Sequence, residues 1–303
     1  MNIEKDIEKF SNDSNINVNF NYSLKKHNWF NIGGNTKVFF KAETLNDLSK
    51  FMRRFGSKIN FFSLGAGSNI LVKDSGFDGV IIKLGKSFTN ISLLNDETII
   101  AGSAALDHKV SNFAKDNGIG GLEFLSCIPG SIGGGIRMNS GCYGTEFKDI
   151  LLSVQAIDKN GSILTIPSSK INFEYRKNDL SKELIFLSAS IKGKKKSQKD
   201  IEKKINFLKA KKLETQPSQI KTGGSTFKNP KNQTEKKVWE LINEIIPRDK
   251  IFGDAAISGK HSNFFVNKKN ASYDQMKQLI DFVTSEIENE TGIKLELEIE
   301  IVG

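Results

Sequence analysis

Residues 65–72 read Gly65-Ala66-Gly67-Ser68-Asn69-Ile70-Leu71-Val72, and what flanks this run decides which fold the chain can adopt. A Rossmann dinucleotide site needs G-x-G-x-x-G between a strand and a helix, so that the helix N-terminus receives the phosphates. Here the third glycine is missing, and the run continues into the strand-like Ile70-Leu71-Val72 and then, past Gly76 and Gly79, into Val80-Ile81-Ile82. Upstream, Thr44 and Asp47 open a capping-box pattern. Leu45, Leu48, Met52 and Phe55 then mark a helix ending at Gly56, and an apolar strand follows over 59–64. The order is helix, strand, turn, strand, strand, which does not fit a Rossmann unit. The turn is either a plain β-turn or a nest of backbone N–H groups converging on an anion, with the Ser68 hydroxyl and Asn69 amide beside them.

Outward from this run the chain keeps mixing helix and strand. Strands are predicted at 91–94 and 98–101, then a helix over 106–117 with Leu106, Val110, Phe113 and Ala114 on one face. A loop follows, Pro129-Gly130-Ser131-Ile132-Gly133-Gly134-Gly135, and after it Met138-Asn139-Ser140-Gly141-Cys142-Tyr143-Gly144. Six of these fourteen residues are glycine, which costs backbone entropy and points to a ligand lying against bare main chain. Strands at 151–157, 163–166 and 184–191 bracket Phe173-Glu174-Tyr175-Arg176. The lysine-rich tract 192–212 reads as a charged linker entering a helix with Ile201, Ile205 and Leu208 on one face. A helix over 235–246 is stopped by Pro247, and 263–266 is apolar. The last helix starts near Ser272, with Gln275 as capping partner, and ends at Gly292. Residues 294–302 alternate Leu295, Leu297, Ile299 and Ile301 against Glu296, Glu298 and Glu300, the pattern of a half-buried strand.

Composition narrows the function classes. The 303 residues exceed the roughly 100 to 200 of one domain and suggest two or three. A hydrophobic content of 38%, a charged content of 26% and 22 phenylalanines fit a soluble globular protein. No apolar run approaches the roughly 18 to 20 residues that span a bilayer, and the polar N-terminus is unlike a secretory signal, so the cytoplasm is the expected compartment. Cys127 and Cys142 lack metal spacing and are expected as reduced thiols, and His27, His108 and His261 form no zinc motif, so no metal is expected. The formal charge of +9 does not by itself separate a nucleic acid from a small anion.

The most chemically suggestive stretch is Gly223-Gly224-Ser225-Thr226-Phe227-Lys228-Asn229-Pro230. Two glycines strip the backbone just before a hydroxyl, so Ser225 can be presented to a ligand; a surface turn is the alternative.

In order and spacing, Trp29-Phe30-Asn31-Ile32-Gly33-Gly34, the GAGSNILV run, PGSIGGG, MNSGCYG, Tyr175-Arg176, GGSTFKNP, Lys260-His261-Ser262-Asn263-Phe264 and Leu295-Glu296-Leu297-Glu298 resemble the UDP-N-acetylenolpyruvoylglucosamine reductases, the MurB family, over nearly the whole chain. The resemblance implies an α+β protein of the FAD-binding p-cresol-methylhydroxylase type, with two FAD-binding subdomains (1–85 and 86–200) and a C-terminal substrate-binding domain (201–303). It implies bound FAD, NADPH as electron donor, an enolpyruvyl UDP-sugar substrate, and a monomer without nucleic-acid or membrane partners. Cofactor contacts would come from Gly65, Ala66, Gly67, Ser68 and Asn69, as the diphosphate nest, and from Pro129, Gly130, Ser131, Gly133, Gly134, Asn139 and Gly141. Arg176 and Glu298 would stabilise an enolate and Ser225 would protonate it; Tyr175, Lys228, Asn229 and Asn263 would hold substrate. Cys127 and Cys142 replace the small residues, usually Gly and Ala, that the resemblance leads one to expect there, and Gly135 stands where Ala is common. The short path from Arg176 to the next strand places the chain with the branch that lacks a long tyrosine-bearing insertion.

Two rival readings have distinct signatures. An oxidase of the same fold would need a base for its substrate rather than the Ser225, Arg176 and Glu298 set. A nucleic-acid module would need aromatics interleaved with clustered basic residues, and the tract 192–212 holds one aromatic, Phe207.

Overall fold

A computed structural model describes residues 3–303. The chain divides into two compact units. Unit 1 takes the chain up to Phe20, Lys37–Ala66 and Gly79–Lys212; unit 2 takes Asn21–Thr36, Gly67–Asp78 and Leu213–Gly303.

Unit 1 contains two hydrophobic cores. In the first, helix α1 (Ile3–Ser14) turns Ile7 and Phe10, three residues apart, inward. Helix α2 (Leu45–Phe51) is capped by Thr44, whose hydroxyl accepts from the Asp47 amide at 3.2 Å, and runs on into a π turn, Met52–Gly56. That turn moves Phe55 onto the same cluster as Phe51: Phe40 and Phe51 stack at 4.3 Å, and Phe10 meets Phe55 edge-on at 5.3 Å. The neighbouring sheet has strand order Val18–Ser23, Asn35–Ala42, Phe77–Leu84, Phe61–Leu64, the last two parallel.

The second core lies against a five-stranded antiparallel sheet, ordered Ile163–Pro167, Leu151–Ile157, Ile185–Lys192, Thr98–Gly102, Ile91–Asn95. Helix α3 (Asp107–Asp116) contributes Val110 and Ala114. The glycine-rich segment expected to be a loop contains a helix, α4 (Ile132–Arg137), with Ile132 and Ile136 buried four residues apart. Helix α5 (Gln198–Thr215) buries Ile201, Ile205 and Leu208, the stripe predicted for the lysine-rich tract.

Unit 2 is built on an antiparallel sheet, Thr222–Ser225, Phe264–Asn267, Ala255–Ile257, Ile251–Phe252, with helices α6 (Val238–Ile245) and α7 (Tyr273–Thr291) in its core. Helix α7 begins with a capping box between Ser272 and Gln275 and ends at Gly292, which is left-handed. Its stripe of Met276, Leu279, Ile280, Val283 and Ile287 is fully buried.

The tail differs from its expectation. Only Glu300–Val302 is a strand, parallel to Ile70–Val72; residues before it make an isolated bridge, Leu297 with Phe227. Alternation identified Leu295, Leu297 and Ile299 as packing on the core, but at the end Val302 rather than Ile301 is buried, and it did not tell whether one strand lies alongside throughout.

Candidate active site

The Gly223-Gly224 pair makes a β-bulge. Thr222 pairs with Val266 and Ser225 with Phe264, so one extra residue is fitted between them. Gly224 takes φ +83°, a left-handed conformation that an L side chain would strain. A Cβ at Gly223 would instead run into the buried ring of Phe30. The bulge re-aims the chain at Ser225, which stays partly exposed at the strand end.

The next residues are fixed. The Thr226 amide donates to the Asn263 carbonyl at 2.7 Å. Asn263's side chain accepts from the Phe227 amide at 3.0 Å and donates to the Phe227 carbonyl at 2.8 Å. Asn263 was expected to offer its amide to substrate; here the side chain is buried and engaged with Phe227 at both ends, which positions the segment after Ser225. Asn229 likewise uses its side-chain oxygen on the Val238 amide, 3.1 Å away, at the start of α6. Lys228 faces Glu296 at 3.3 Å.

Glu298 reaches this strand end through its backbone: its amide donates to the Thr226 carbonyl at 2.8 Å. On its other side the Glu298 carbonyl accepts from the Asn69 side chain at 2.9 Å, and the Asn69 carbonyl accepts from the Glu300 amide at 2.9 Å. Three segments far apart in sequence, those of Asn69, Ser225 and Glu298, are thus tied together inside unit 2.

Arg176 belongs to unit 1, at the tip of a hairpin whose strands are Phe173–Glu174 and Lys177–Asn178. Its φ of +60° is unusual for a residue with a side chain and costs about 1 kcal/mol or more, the kind of local strain found where a side chain must be aimed. The guanidinium donates to the Gly141 carbonyl at 3.1 Å, lies 3.7 Å from a Glu146 oxygen, and sits over the Tyr175 ring at 4.8 Å. Glu146 is in turn held by Asn139, whose amide nitrogen donates to Glu146 at 3.1 Å and to the Glu174 carbonyl at 3.0 Å while its oxygen accepts from the Lys148 amide at 3.0 Å. Asn139 was expected to touch a cofactor; fully buried and engaged in these three bonds, its side chain braces the arginine hairpin.

The second glycine run has mixed causes. Cβ atoms at Gly130, Gly133 and Gly135 would press on Asp107, Ser103 and the Phe147 ring, and one at Gly141 on its own hairpin, so those glycines answer to the chain's own packing. Packing within the chain is thus a reason for glycine there besides the ligand that the sequence suggested. Gly65 and Gly134 are different. Both are exposed, and a Cβ on Gly65 would point 3.1 Å from the Ser131 hydroxyl and 4.0 Å from the Gly134 Cα, so the two glycine loops face each other within unit 1. The Ser131 oxygen is buried and, among the described residues, has no hydrogen-bond partner. The Lys83 ammonium donates to the Gly65 carbonyl at 2.7 Å, and burial pushes its pKa down. Bare backbone, an orphaned hydroxyl and a half-buried cation fit a dinucleotide cofactor. Lys83 and Glu146 went unnoticed in the sequence because nothing local distinguishes them.

A separate concavity of about 580 Å³ in unit 2, lined by Lys237, Trp239, Arg248, Lys260 and His261 among others, contains none of the expected site residues. Among the described residues no cluster of His, Cys, Asp or Glu could hold a metal, and no helix is long and apolar enough to cross a membrane.

This α+β fold with opposed glycine loops defines an FAD-binding oxidoreductase, and residues 36–167 match the FAD binding domain. Residues 216–302 match the C-terminal domain of UDP-N-acetylenolpyruvoylglucosamine reductase. The chain is 59% identical over its full length to the full length of a UDP-N-acetylenolpyruvoylglucosamine reductase of Pelagibacter ubique, and 43% identical to one of Rickettsia bellii over 93% of this chain and 92% of that one. A crystal structure of the Thermus caldophilus reductase superposes with a TM-score of 0.81 at 28% identity, covering 95% of this chain and 99% of that one. The chain belongs to the UDP-N-acetylenolpyruvoylglucosamine reductase family.

Proposed function

We propose that the protein uses NADPH to reduce the enolpyruvyl group of UDP-N-acetylglucosamine enolpyruvate to the lactyl ether, giving UDP-N-acetylmuramate for peptidoglycan, and that it works as a cytoplasmic monomer. The full-length match to the Pelagibacter ubique reductase carries this reading. Gly65, Ala66, Gly67, Ser68 and Asn69 would hold the FAD diphosphate, with Lys83 fixing the Gly65 carbonyl; Gly134 and Ser131 would line the rest. The two cores of unit 1 would be the two FAD-binding subdomains, and the chain from about residue 201 onward the substrate-binding domain. When bound, FAD supplies the two-electron carrier between NADPH and the alkene.

Hydride arriving at C3 of the enolpyruvyl group leaves negative charge at C2, spread into the carboxylate as an enolate. Arg176, with a planar fork suited to a carboxylate, stabilises that charge. Glu298 supports the enolate as a hydrogen-bond donor when protonated. Ser225 gives its proton to C2; a hydroxyl is a weak acid, but an enolate carbon is a strong base and the bulge fixes the direction of approach. Tyr175 and Lys228 hold the sugar nucleotide, with Asn229 and Asn263 keeping Lys228 and Ser225 in place.

Stopped-flow absorbance of Ser225→Ala tests the assignment. Bleaching of the flavin by NADPH should stay near the wild-type rate while reoxidation by the enolpyruvyl substrate slows about 10² to 10⁴-fold. Equal losses in both half-reactions would remove Ser225 from the proton-donor role.

A further inference from the structure

Cys127 and Cys142 are both free thiols, and the reaction above uses neither. Cys127 ends the 3₁₀ turn Glu123–Cys127, and Cys142 lies on the short strand Gly141–Cys142 packed against the same core. The Cys142 thiol points back at that turn, 3.4 Å from the Phe124 carbonyl, and is also a hydrogen-bond neighbour of the Cys127 sulfur. One S–H proton therefore faces two acceptors, and a Cys127 thiolate is the stronger of them.

The surroundings favour negative charge on Cys127. The Ser126 hydroxyl lies 3.7 Å from its sulfur, the Lys212 ammonium is 2.7 Å from its carbonyl, and Lys209 and Lys212 of α5 both act on the thiol. The hydrogen bond from Cys142, then Ser126 and the two lysines, outweigh burial and bring the Cys127 pKa down to about 6. Cys142 moves up, because the hydrogen bond to Cys127 and burial keep its proton in place, with Lys212 and Arg176 opposing. One sulfur is prepared to attack and its neighbour keeps a proton.

We propose that Cys127 and Cys142 form a site of reversible oxidation by small hydroperoxides, with Cys127 as the attacking sulfur and Cys142 as the resolving one. The Cys127 thiolate attacks one oxygen of hydrogen peroxide, the O–O bond breaks, and after proton uptake a Cys127 sulfenic acid and water result. Cys142 then attacks the Cys127 sulfur; the S–S bond forms, the S–O bond breaks, and the hydroxide leaves as water with the Cys142 proton. Two thiols lose two electrons and peroxide gains them, giving one disulfide and two waters. A dithiol reductant reverses the change by exchange.

Reduced wild-type protein treated with one equivalent of hydrogen peroxide, blocked with N-ethylmaleimide and peptide-mapped tests this. Both thiols should disappear in step into a peptide joining Cys127 to Cys142 that dithiothreitol cleaves. In Cys142→Ser, dimedone should label Cys127; in Cys127→Ser, Cys142 should stay reduced. The pH profile of iodoacetamide alkylation of wild-type Cys127 should have its midpoint near 6, giving a thiolate fraction at pH 7 about 30-fold above that of an ordinary thiol. Independent loss of the two thiols, dimedone labelling of Cys142, or a midpoint near the ordinary value of about 8.5 would overturn the proposal. The wild-type map needs no variant to fold.

Discussion

The Asn69 side chain donates to the backbone carbonyl of Glu298, 2.9 Å away and 229 residues along the chain. The bond fastens the turn after Gly65-Ala66-Gly67 to the segment bearing the glutamate assigned to the enolate. Asn69→Ala should lower stability by about 1 kcal/mol, the scale of one partly buried hydrogen bond, and reduce turnover more than it raises KM for NADPH. Urea unfolding and steady-state kinetics check the two effects; unchanged turnover would mean that Glu298 does not depend on this tether.

The two glycines before Ser225 should respond differently to alanine. Gly223→Ala drives a methyl into the Phe30 ring and should cost about 1 to 3 kcal/mol by overpacking. Gly224→Ala meets no atom within 4 Å, so its cost is the left-handed backbone alone, about 1 kcal/mol. If the bulge aims Ser225, the second variant should lose enolpyruvyl reduction beyond what its stability explains, as half-reaction rates would show.

Lys83→Met keeps most of the stem and removes the charge that holds the Gly65 carbonyl. A hydrogen bond from a charged donor contributes roughly 1.5 to 3 kcal/mol, so FAD affinity should fall at least about tenfold, measured by quenching of flavin fluorescence on titrating apoprotein.

Asp107 is fully buried on the first turn of α3, and among the described residues neither of its carboxyl oxygens has a hydrogen-bond partner. Burial raises its pKa well above the usual carboxylate value. Unfolded, it titrates near pH 3.9, so above that pH and below its folded pKa the folded protein binds the extra proton and stability falls as pH rises. Asp107→Asn removes this dependence. Its stability relative to wild type should improve steadily from about pH 4 to neutrality, by urea midpoints at several pH values; parallel curves would show that Asp107 ionises freely in the folded state.

Much of this was legible in the sequence because local rules sufficed. The Ser272 and Gln275 pair and Gly292 marked both ends of α7, and the stripe Ile201, Ile205, Leu208 marked the buried face of α5. Helix α4 was hidden because glycines carry little helical preference; what makes Gly135 necessary there is the Phe147 ring, which only the folded chain brings near. The glycine runs announced special backbone without saying whether a ligand or the protein's own atoms required it; at Gly133, Gly135 and Gly141 the protein's own atoms do. The bracing of Arg176 by Glu146 and Asn139 was illegible for a similar reason: it depends on contacts between Glu146 and Arg176 and between Asn139 and Glu174, residues 30 and 35 positions apart.

Asn139 carries a consequence for mutational tolerance. Because one amide bridges the Glu146 carboxylate, the Glu174 carbonyl and the Lys148 amide, the direction of a guanidinium it never touches is set by a side chain of fixed length. Lengthening that side chain by a single methylene, as in Asn139→Gln, would displace all three anchors at once. A saturation library should therefore find position 139 intolerant even of glutamine.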